Sequence, residues 1–215
     1  MEAPLDAIAV RVLGSLIEKE ITTPDNYPLS LNSLVAACNQ TSNRDPVLDL
    51  DERTVLRSLD ELRRRSLARG MQRSDSRVTK YQHLAREAMS LDGAELAVMC
   101  VLMLRGHQTA GEIKGRTTRL FEFNDLAQVD ATLEALIVRL PAPLVVRLPR
   151  RPGQKDARYA HLLSGEVASD VPDAVISHAP METDRMAALE QIVNALRAEM
   201  IDLRGQLEEF RREFQ

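Results

Sequence analysis

The sequence predicts a mainly α-helical protein with small β-hairpins, built as two tandem winged-helix domains plus a C-terminal amphipathic helix. Three observations predict this fold. The strand-like segment at residues 80–84 (KYQHL) returns at residues 158–162 (RYAHL), each copy follows a similar series of helices, and apolar residues recur at helical spacing near the C-terminus. Three helices followed by a β-hairpin are the outline of a winged helix. An internal repeat decides the architecture before other organisation is considered.

The repeat also gives the domain boundaries. The first winged-helix domain is predicted at residues 1–86, the second at 87–163, a proline-containing linker at 164–180 and the C-terminal helix at 181–215. This last helix has a narrow apolar stripe whose spacing breaks a strict heptad. Periodicity leaves open whether the stripe packs on its own domains or forms a coiled coil with a second copy.

The first domain opens with an amphipathic helix at residues 5–20. Ser30 is the predicted N-cap of a short second helix. Asp49 and Glu52 form a predicted capping box for the third helix, which runs to about Ser66. The core face of that third helix is predicted to comprise Val55, Leu56, Leu59 and Leu62.

The second domain repeats this order of elements. Its first helix begins at Asp92, where Glu95 completes a capping box. A weaker second helix begins at Thr109, and the third begins at Asp125 and stops before Pro141. The repeat aligns Leu56 and Leu59 of the first domain with Leu133 and Leu136 of the second.

Composition limits the functional classes. The 215-residue chain is 44% hydrophobic but only 3% aromatic and has no Trp, so it offers few rings for stacking on unpaired bases. A net charge of −4 gives no overall basic field, and nucleic-acid binding therefore needs a local patch. Cys38 and Cys100 lie on apolar helical stretches and are predicted to be buried structural thiols. The sequence has no secretory signal or membrane-spanning run, so we expect a cytoplasmic protein.

The sequence contains no pattern typical of catalysis. No group of His, Cys and carboxylate residues has metal-ligand spacing, and there is no glycine-rich phosphate loop or nucleophile elbow. His83 and His161 occupy equivalent strand positions, which favours packing roles copied by the duplication. We therefore predict a protein that is not an enzyme and has no cofactor and no metal.

The strongest positive patch lies at residues 51–84, where nine Lys and Arg face five Asp and Glu. In a winged helix the third helix can enter the major groove of double-stranded DNA while the hairpin contacts phosphates. The predicted DNA-binding residues are Arg53, Arg57 and Arg64 on the helix and Arg73, Arg77 and Lys80 on the hairpin. The alternative is a solvated charged face, in which Glu61 forms surface pairs with Arg57 and Arg65.

The second domain does not repeat this patch on its third helix, where Asp130 and Glu134 would repel phosphates. Its hairpin is basic again, through Arg147, Arg150, Arg151, Lys155 and Arg158. We predict groove contact by the first domain, with the second domain giving backbone contact or holding a partner.

The polar loop at residues 23–46 is a second candidate site, and its key residues are Asn32, Asn43 and Arg44. Asn and Asp cap helices and fold turns through their own backbone, so architecture alone can explain them. A small anionic ligand or a partner peptide held by Arg44 and the loop amides is the other interpretation.

Two motifs resemble those of a known family. The segments at residues 18–19, 23–32, 38–40 and 42–46 form the first motif, and residues 102–112 form the second. Together they resemble the YceH-like family of bacterial proteins; the chain differs at His107, where the family often has proline. The resemblance implies tandem winged-helix domains and no particular activity.

The sequence therefore predicts a DNA-binding protein that acts in transcriptional regulation as a homodimer. The competing class is a non-enzymatic protein-interaction scaffold, because tandem winged helices also serve as scaffolds and the acidic net charge suits that role. The two classes differ in whether the arginine face of the first domain is free or covered.

Overall fold

A computed structural model describes residues 4–72, 78–150, 154, 156–165 and 167. Its first half, residues 4–84, contains three helices and three short strands, with a 3-10 turn at Pro24–Asn26. In chain order these elements are α1 (Ala7–Thr22), β1 (Leu29–Ser30), α2 (Leu31–Cys38), α3 (Glu52–Arg64), β2 (Ala68–Met71) and β3 (Lys80–His83). A single helical turn, α4 (Ala85–Ala88), leads to the second half.

The second half, residues 93–162, has the same order of elements. They are α5 (Gly93–Arg105), β4 (Gln108–Thr109), α6 (Ala110–Thr117), α7 (Leu126–Ile137), β5 (Val145–Arg147) and β6 (Arg158–His161). The prediction of a mainly helical protein with small antiparallel sheets is therefore confirmed. The predicted linker beyond residue 167 and the C-terminal helix at 181–215 lie outside the described residues.

Each half has one three-stranded antiparallel sheet with its last strand in the centre, in the orders β1-β3-β2 and β4-β6-β5. The repeated tyrosines hold the same place in both sheets. Tyr81 pairs with Leu29 on one side and Gly70 on the other. Tyr159 likewise lies between its partners on β4 and β5. The KYQHL and RYAHL segments are thus equivalent in space as well as in sequence.

Helix capping agrees with the sequence except at α3. Ser30, Asp92, Thr109 and Asp125 cap α2, α5, α6 and α7. The N-cap of α3 is Asp51, whose carboxylate accepts the Thr54 N–H at 2.7 Å, so the predicted Asp49 box is wrong. The Asn39 side chain bonds both the N–H and the carbonyl of Leu50 at 2.8 Å. This contact holds the chain out of helical geometry until Asp51.

The predicted core face of α3 is also wrong at one position. Leu56 is 36% exposed, whereas Leu59 and Leu62 are buried as expected. The cause is a shifted alignment. Leu67 N–H bonds the Leu62 carbonyl five residues earlier, but the equivalent bond of Leu144 reaches back eight residues, to Leu136. The connection in the second half is three residues longer, so an alignment on the hairpins displaces the helices by almost one turn.

Helices α1 and α5 form the centre of the described residues and are buried on nearly all sides. An apolar surface all round a helix is expected where the helix packs against several others. At their crossing, a Cβ on Gly14 would lie only 2.9 Å from Leu104 Cδ2, and the Cys100 thiol approaches the Gly14 carbonyl at 3.5 Å. The chain from Met1 to Ser169 is one compact unit with a shared core.

Both cysteines are buried, as predicted. Burial raises the pKa of the Cys38 thiol and of the Cys100 thiol, because a buried thiolate would lose its hydration. Both groups therefore stay protonated in the core. Within the described part of the chain, no helix combines the length and the apolar character needed to cross a membrane.

Candidate nucleic-acid interface

The exposed face of α3 carries three arginines in one stripe. Arg53, Arg57 and Arg64 are all solvent-exposed. Because successive helical residues are rotated by about 100° and rise by about 1.5 Å, these three lie within roughly 40° of one another and span roughly 16 Å. The opposite face buries Val55 and Leu59 in the core. All three guanidinium groups can therefore face one partner surface at the same time.

None of these three arginines forms an ion pair with a carboxylate of the described residues. Arg57 donates to the Thr54 hydroxyl at 3.2 Å, and Arg64 donates to the Asp60 carbonyl at 3.3 Å. The Glu61 carboxylate forms an ion pair with Arg65 at 2.6 Å. The alternative of a surface network through Glu61 therefore holds for Arg65 and not for Arg57.

Two acidic residues next to the stripe, Asp51 and Asp60, have partners of their own. Asp51 receives hydrogen bonds from Thr54, which lower the pKa of its carboxyl, and nearby Arg57 and Arg53 lower it further. Asp60, which lies on the stripe, pairs with Arg63 at 3.2 Å. The guanidinium groups of Arg53 and Arg57 thus remain without a carboxylate partner among the described residues. The exposed Leu56 lies at the edge of the stripe and adds an apolar contact surface.

An open groove of about 660 Å³ lies between the end of α3 and strand β2. Arg63, Arg64 and Arg69 line it, against one carboxylate among the described lining residues, Asp60. The guanidinium of Arg69 donates to the side-chain oxygen of Gln82 on the neighbouring strand, at 2.8 and 2.9 Å. The α3 stripe therefore continues onto the sheet as a second cluster of cations.

Of the three predicted DNA-binding residues on the hairpin, the structure describes only Lys80. Lys80 lies on β3, where it pairs with Ser30 on one side and Met71 on the other, and it is half-buried. Arg73 and Arg77 lie outside the described residues. Among the described hairpin cations, Arg69 stands beside Arg64 in the groove, and this proximity was not predicted.

Helix α7 presents a different surface. With its cap Asp125 aligned to Asp51, the positions of Arg53, Arg57 and Arg64 are held by Ala127, Ala131 and Val138. All of these are exposed, as are the acidic Asp130 and Glu134. Large apolar side chains at the two ends of the helix are also exposed, with Leu126 at 46%, Val138 at 63% and Leu140 at 87%. The second hairpin exposes Arg147 and Arg150 and half-buries Arg158, whereas Arg151 and Lys155 lie outside the described residues.

The polar loop before α3 has an internal role. Arg44 has a fully buried side chain and grips Glu18 through two hydrogen bonds, of 2.7 and 3.1 Å. It also donates to the carbonyls of Ala37 and Asn43. With its donors turned inward, Arg44 is not placed to hold a ligand on the surface. This geometry favours the architectural interpretation of Arg44.

The other two loop residues are at the surface. Asn32 is exposed on α2, and Asn43 is exposed with a φ of 57°. Asn43 Oδ1 accepts a hydrogen bond from Arg105 of the second half at 2.9 Å. The Asp45 N–H donates to the Leu104 carbonyl, also at 2.9 Å. The loop thus links the two halves, a role that no local sequence pattern indicates.

The repeated histidines have different surroundings. His83 is buried beside Glu20, with 2.8 Å between Nε2 and Oε2, and its Nδ1 accepts the Ala85 N–H. Burial lowers the pKa of His83, and the Glu20 carboxylate opposes this shift. His161 Nδ1 is buried without a hydrogen-bond partner among the described residues. Burial, together with His107, lowers the pKa of His161 to about 4. Both imidazoles are therefore neutral at pH 7.

No cluster of three or more His, Cys, Asp or Glu suited to a metal ion occurs among the described residues. The side chains that come together on α3 and its groove are donors with a positive charge. Their chemistry suits binding to phosphate groups.

Comparison with known proteins identifies the family of this chain. A family model described as "Protein of unknown function, DUF480" matches residues 5–154. A UPF0502 protein of Solibacter usitatus is 47% identical over 217 aligned positions, and one of Geotalea daltonii is 49% identical over 220, each covering the whole of both chains. A UPF0502 protein of Herminiimonas arsenicoxydans is 45% identical over all of this chain and 92% of its own. The chain therefore belongs to the DUF480 family.

Proposed function

We propose that this protein binds double-stranded DNA as a tandem winged-helix protein and acts in transcriptional regulation. In this proposal α3 lies in the major groove and the β2–β3 hairpin contacts the phosphate backbone. The order helix, strand, helix, helix, strand, strand in each half supports the winged-helix assignment. The DNA-binding assignment depends on the first half alone.

The observation that carries the proposal is the arginine stripe of α3. Arg53, Arg57 and Arg64 are exposed and free of ion pairs with the described residues, so binding a phosphate would not first require breaking an internal pair. Arginine can donate two parallel hydrogen bonds to a phosphate or to a guanine edge. The exposed Leu56 is suited to an apolar contact with a thymine methyl group.

Backbone contacts would come from the neighbouring cations. Arg63 and Arg69 line the groove beside α3, and Lys80 lies on the central strand of the sheet. Arg73 and Arg77 of the hairpin complete this set in the proposal. In the second half, Arg147 and Arg150 are exposed and can add phosphate contacts, whereas the acidic α7 cannot.

The test is fluorescence anisotropy of a labelled random duplex titrated with the protein over a salt series. Each phosphate contact contributes about −0.9 to the slope of log K against log salt. The double variant Arg53→Glu, Arg57→Glu should bind at least about tenfold more weakly, with a slope shallower by up to about 1.8.

The matched control is Arg86→Glu, Arg119→Glu, which makes the same change in net charge at two other exposed arginines. This control should keep most of the wild-type affinity. Equal loss in both double variants would reduce the effect to overall charge, and no binding at low salt would end the proposal.

The second candidate function is a non-enzymatic protein-interaction scaffold. It is supported by α7, where Leu126, Val138 and Leu140 are exposed next to acidic groups that would repel DNA. Exposed apolar side chains of this size are common at protein-binding surfaces. The anisotropy experiment separates the two functions, because a scaffold would not bind the duplex at low salt.

The proposal includes a cytoplasmic homodimer and identity of this family with the YceH-like family. The apolar stripe of residues 181–215 is the segment that would join two copies. Light scattering of the full chain and of a chain ending at Pro180 tests this directly. A homodimer joined by that segment gives twice the monomer mass only for the full chain.

A further inference from the structure

A polar pocket of about 320 Å³ lies where the two halves of the molecule meet. Its walls are the C-terminal ends of α1, α5 and α6 and the loop that follows α2. Both halves belong to one compact unit, so these walls hold a fixed arrangement. A volume near 300 Å³ is at the lower end of the range for small-molecule sites. The pocket therefore has room for a small ligand only.

The charge of this pocket opposes that of the chain. Lys19, Arg105, Arg116 and Arg119 line it, against one carboxylate among the described lining residues, Glu18. That carboxylate is already neutralised by Arg44, which is buried behind it at 2.7 Å. The whole chain has a net charge of −4, so a cluster of four cations in one small pocket differs from the average charge of the protein.

Neutral groups orient two of the cations. Arg105 donates to Asn43 Oδ1 at 2.9 Å, and Arg116 donates to Gln108 Oε1 at 2.8 Å. Arg116 also contacts a carboxylate, at 3.3 Å in Glu112. Arg119 is exposed and makes no hydrogen bond to the described residues. Fixed guanidinium groups that have spare donors are preorganised to receive an oxyanion.

The cations are close enough to affect each other. Burial lowers the pKa of Arg105, and the neighbouring charge of Arg116 lowers it further. The carboxylates of Asp45 and Glu112 only partly oppose this effect. An anion bound between the two guanidinium groups would relieve their repulsion.

The competing explanation is that these cations only complement helix dipoles. Three helices end at the pocket, and each C-terminus is equivalent to roughly −0.5 of a charge, or about −1.5 together. With Glu18 paired to Arg44 and Glu112 offsetting one of the four cations, about three positive charges remain, which exceed that amount. Arg119 moreover follows the end of α6 and is not needed for its last turn. Helix dipoles alone therefore leave the pocket positive.

We infer that this pocket binds a small organic anion through phosphate or carboxylate groups held between Arg105, Arg116 and Arg119. Planar guanidinium groups match the two oxygens of either group, and Lys19, which also contacts Glu18 at 3.6 Å, adds a point charge to the lining. The ligand would touch both halves of the protein. The inference does not depend on DNA binding, because none of these residues lies on α3 or its hairpin.

Isothermal titration calorimetry of the full chain tests this, with pyrophosphate and with citrate as separate probes at ionic strength matched by chloride. We expect saturable binding of one probe per chain. Arg119→Gln and Arg105→Gln should each weaken binding at least about tenfold, as expected for the loss of a charge-assisted contact. Preference for pyrophosphate would identify a phosphate ligand, and preference for citrate a carboxylate ligand.

The matched control is Arg86→Gln, which removes one exposed cation outside the pocket and should change the affinity by less than about twofold. Arg119 is exposed, so its variant should melt with the wild type in chloride alone and so remains informative if Arg105→Gln misfolds. The inference is overturned if neither probe binds above the chloride background. It is also overturned if folded pocket variants bind as tightly as the wild type.

Discussion

Helices α3 and α7 are built alike and present opposite surfaces. Each has an aspartate N-cap and a buried Val-Leu-Leu series, and each leads into the edge strand of a three-stranded sheet. On the exposed side, α3 carries the arginine stripe, whereas α7 carries alanines, two acids and exposed large apolar side chains.

This comparison separates what maintains the fold from what provides function. Caps, buried positions and strand pairing are common to the two halves, because each half needs them to form a core. The exposed positions are under no such requirement and differ in charge. A function assigned to one half therefore cannot be transferred to the other on the strength of the shared fold.

The largest expected effect concerns the ion pairs of the two halves. Arg44–Glu18 in the first half is buried, with side-chain exposures of 0% and 10%, whereas Arg139–Glu95 in the second is 21% and 12% exposed. Because Arg44 is fully buried and Glu18 would keep only the Lys19 ammonium, 3.6 Å away, Arg44→Met should lower the free energy of unfolding by about 3 kcal/mol or more. Arg139 is itself 21% exposed, so water can replace its contacts and Arg139→Met should cost about 1 kcal/mol.

Urea denaturation at pH 7 measures both values. Glu18→Gln with Arg44→Met is the matched control, because removing both charges should recover part of the loss. Similar losses for Arg44→Met and Arg139→Met would contradict the assignment of different burial energies to the two halves.

The next effect concerns the repeated histidines and depends on pH. The folded-state pKa of His161 is about 4, below its ordinary value of 6.5, so the fold favours neutral imidazole. Its contribution to stability is therefore complete above pH 6.5 and is lost as pH falls from 6.5 toward 4. From pH 7.5 to pH 5 this loss amounts to roughly 2 kcal/mol in the free energy of unfolding.

His161→Leu should remove most of that dependence, measured by denaturation at the two pH values. His83→Leu should remove less, because Glu20 offsets part of the burial effect on the pKa of His83. An unchanged pH dependence in His161→Leu would show that His161 is accessible to protons in the folded state.

The smallest effect is a gain on α7. Ala131 occupies the position of Arg57 and is exposed, and Arg is a good helix former, so Ala131→Arg should not disturb the fold. We expect about threefold tighter binding to a random duplex and a salt slope steeper by up to about 0.9. Ala135→Arg, at the side of the stripe, adds the same charge and should have less effect. Equal gains would mean that net charge, rather than position on the helix, controls affinity.

The sequence was sufficient to predict the order of the main helices and hairpin strands, the starts of α2, α5, α6 and α7 and the two buried thiols, because each depends on neighbouring residues. The short strands β1 and β4 were not predicted. It could not predict the register of α3 relative to α7, since the extra residues lie in an irregular connection. The burial of Arg44 could not be predicted either, because its partner Glu18 is 26 residues away in the sequence. The pocket that contains Arg105 and Arg119 is formed by four separate chain segments, so no local sequence pattern predicts it.

The close crossing of α1 and α5 at Gly14 has a consequence for how this architecture can be divided. Leu104 and Met103 of one half occupy the space that a side chain at residue 14 of the other would need. A fragment cut between the halves would open an apolar helix face to water on each piece, so neither half is a portable unit. The two halves are therefore expected to melt together in one cooperative transition.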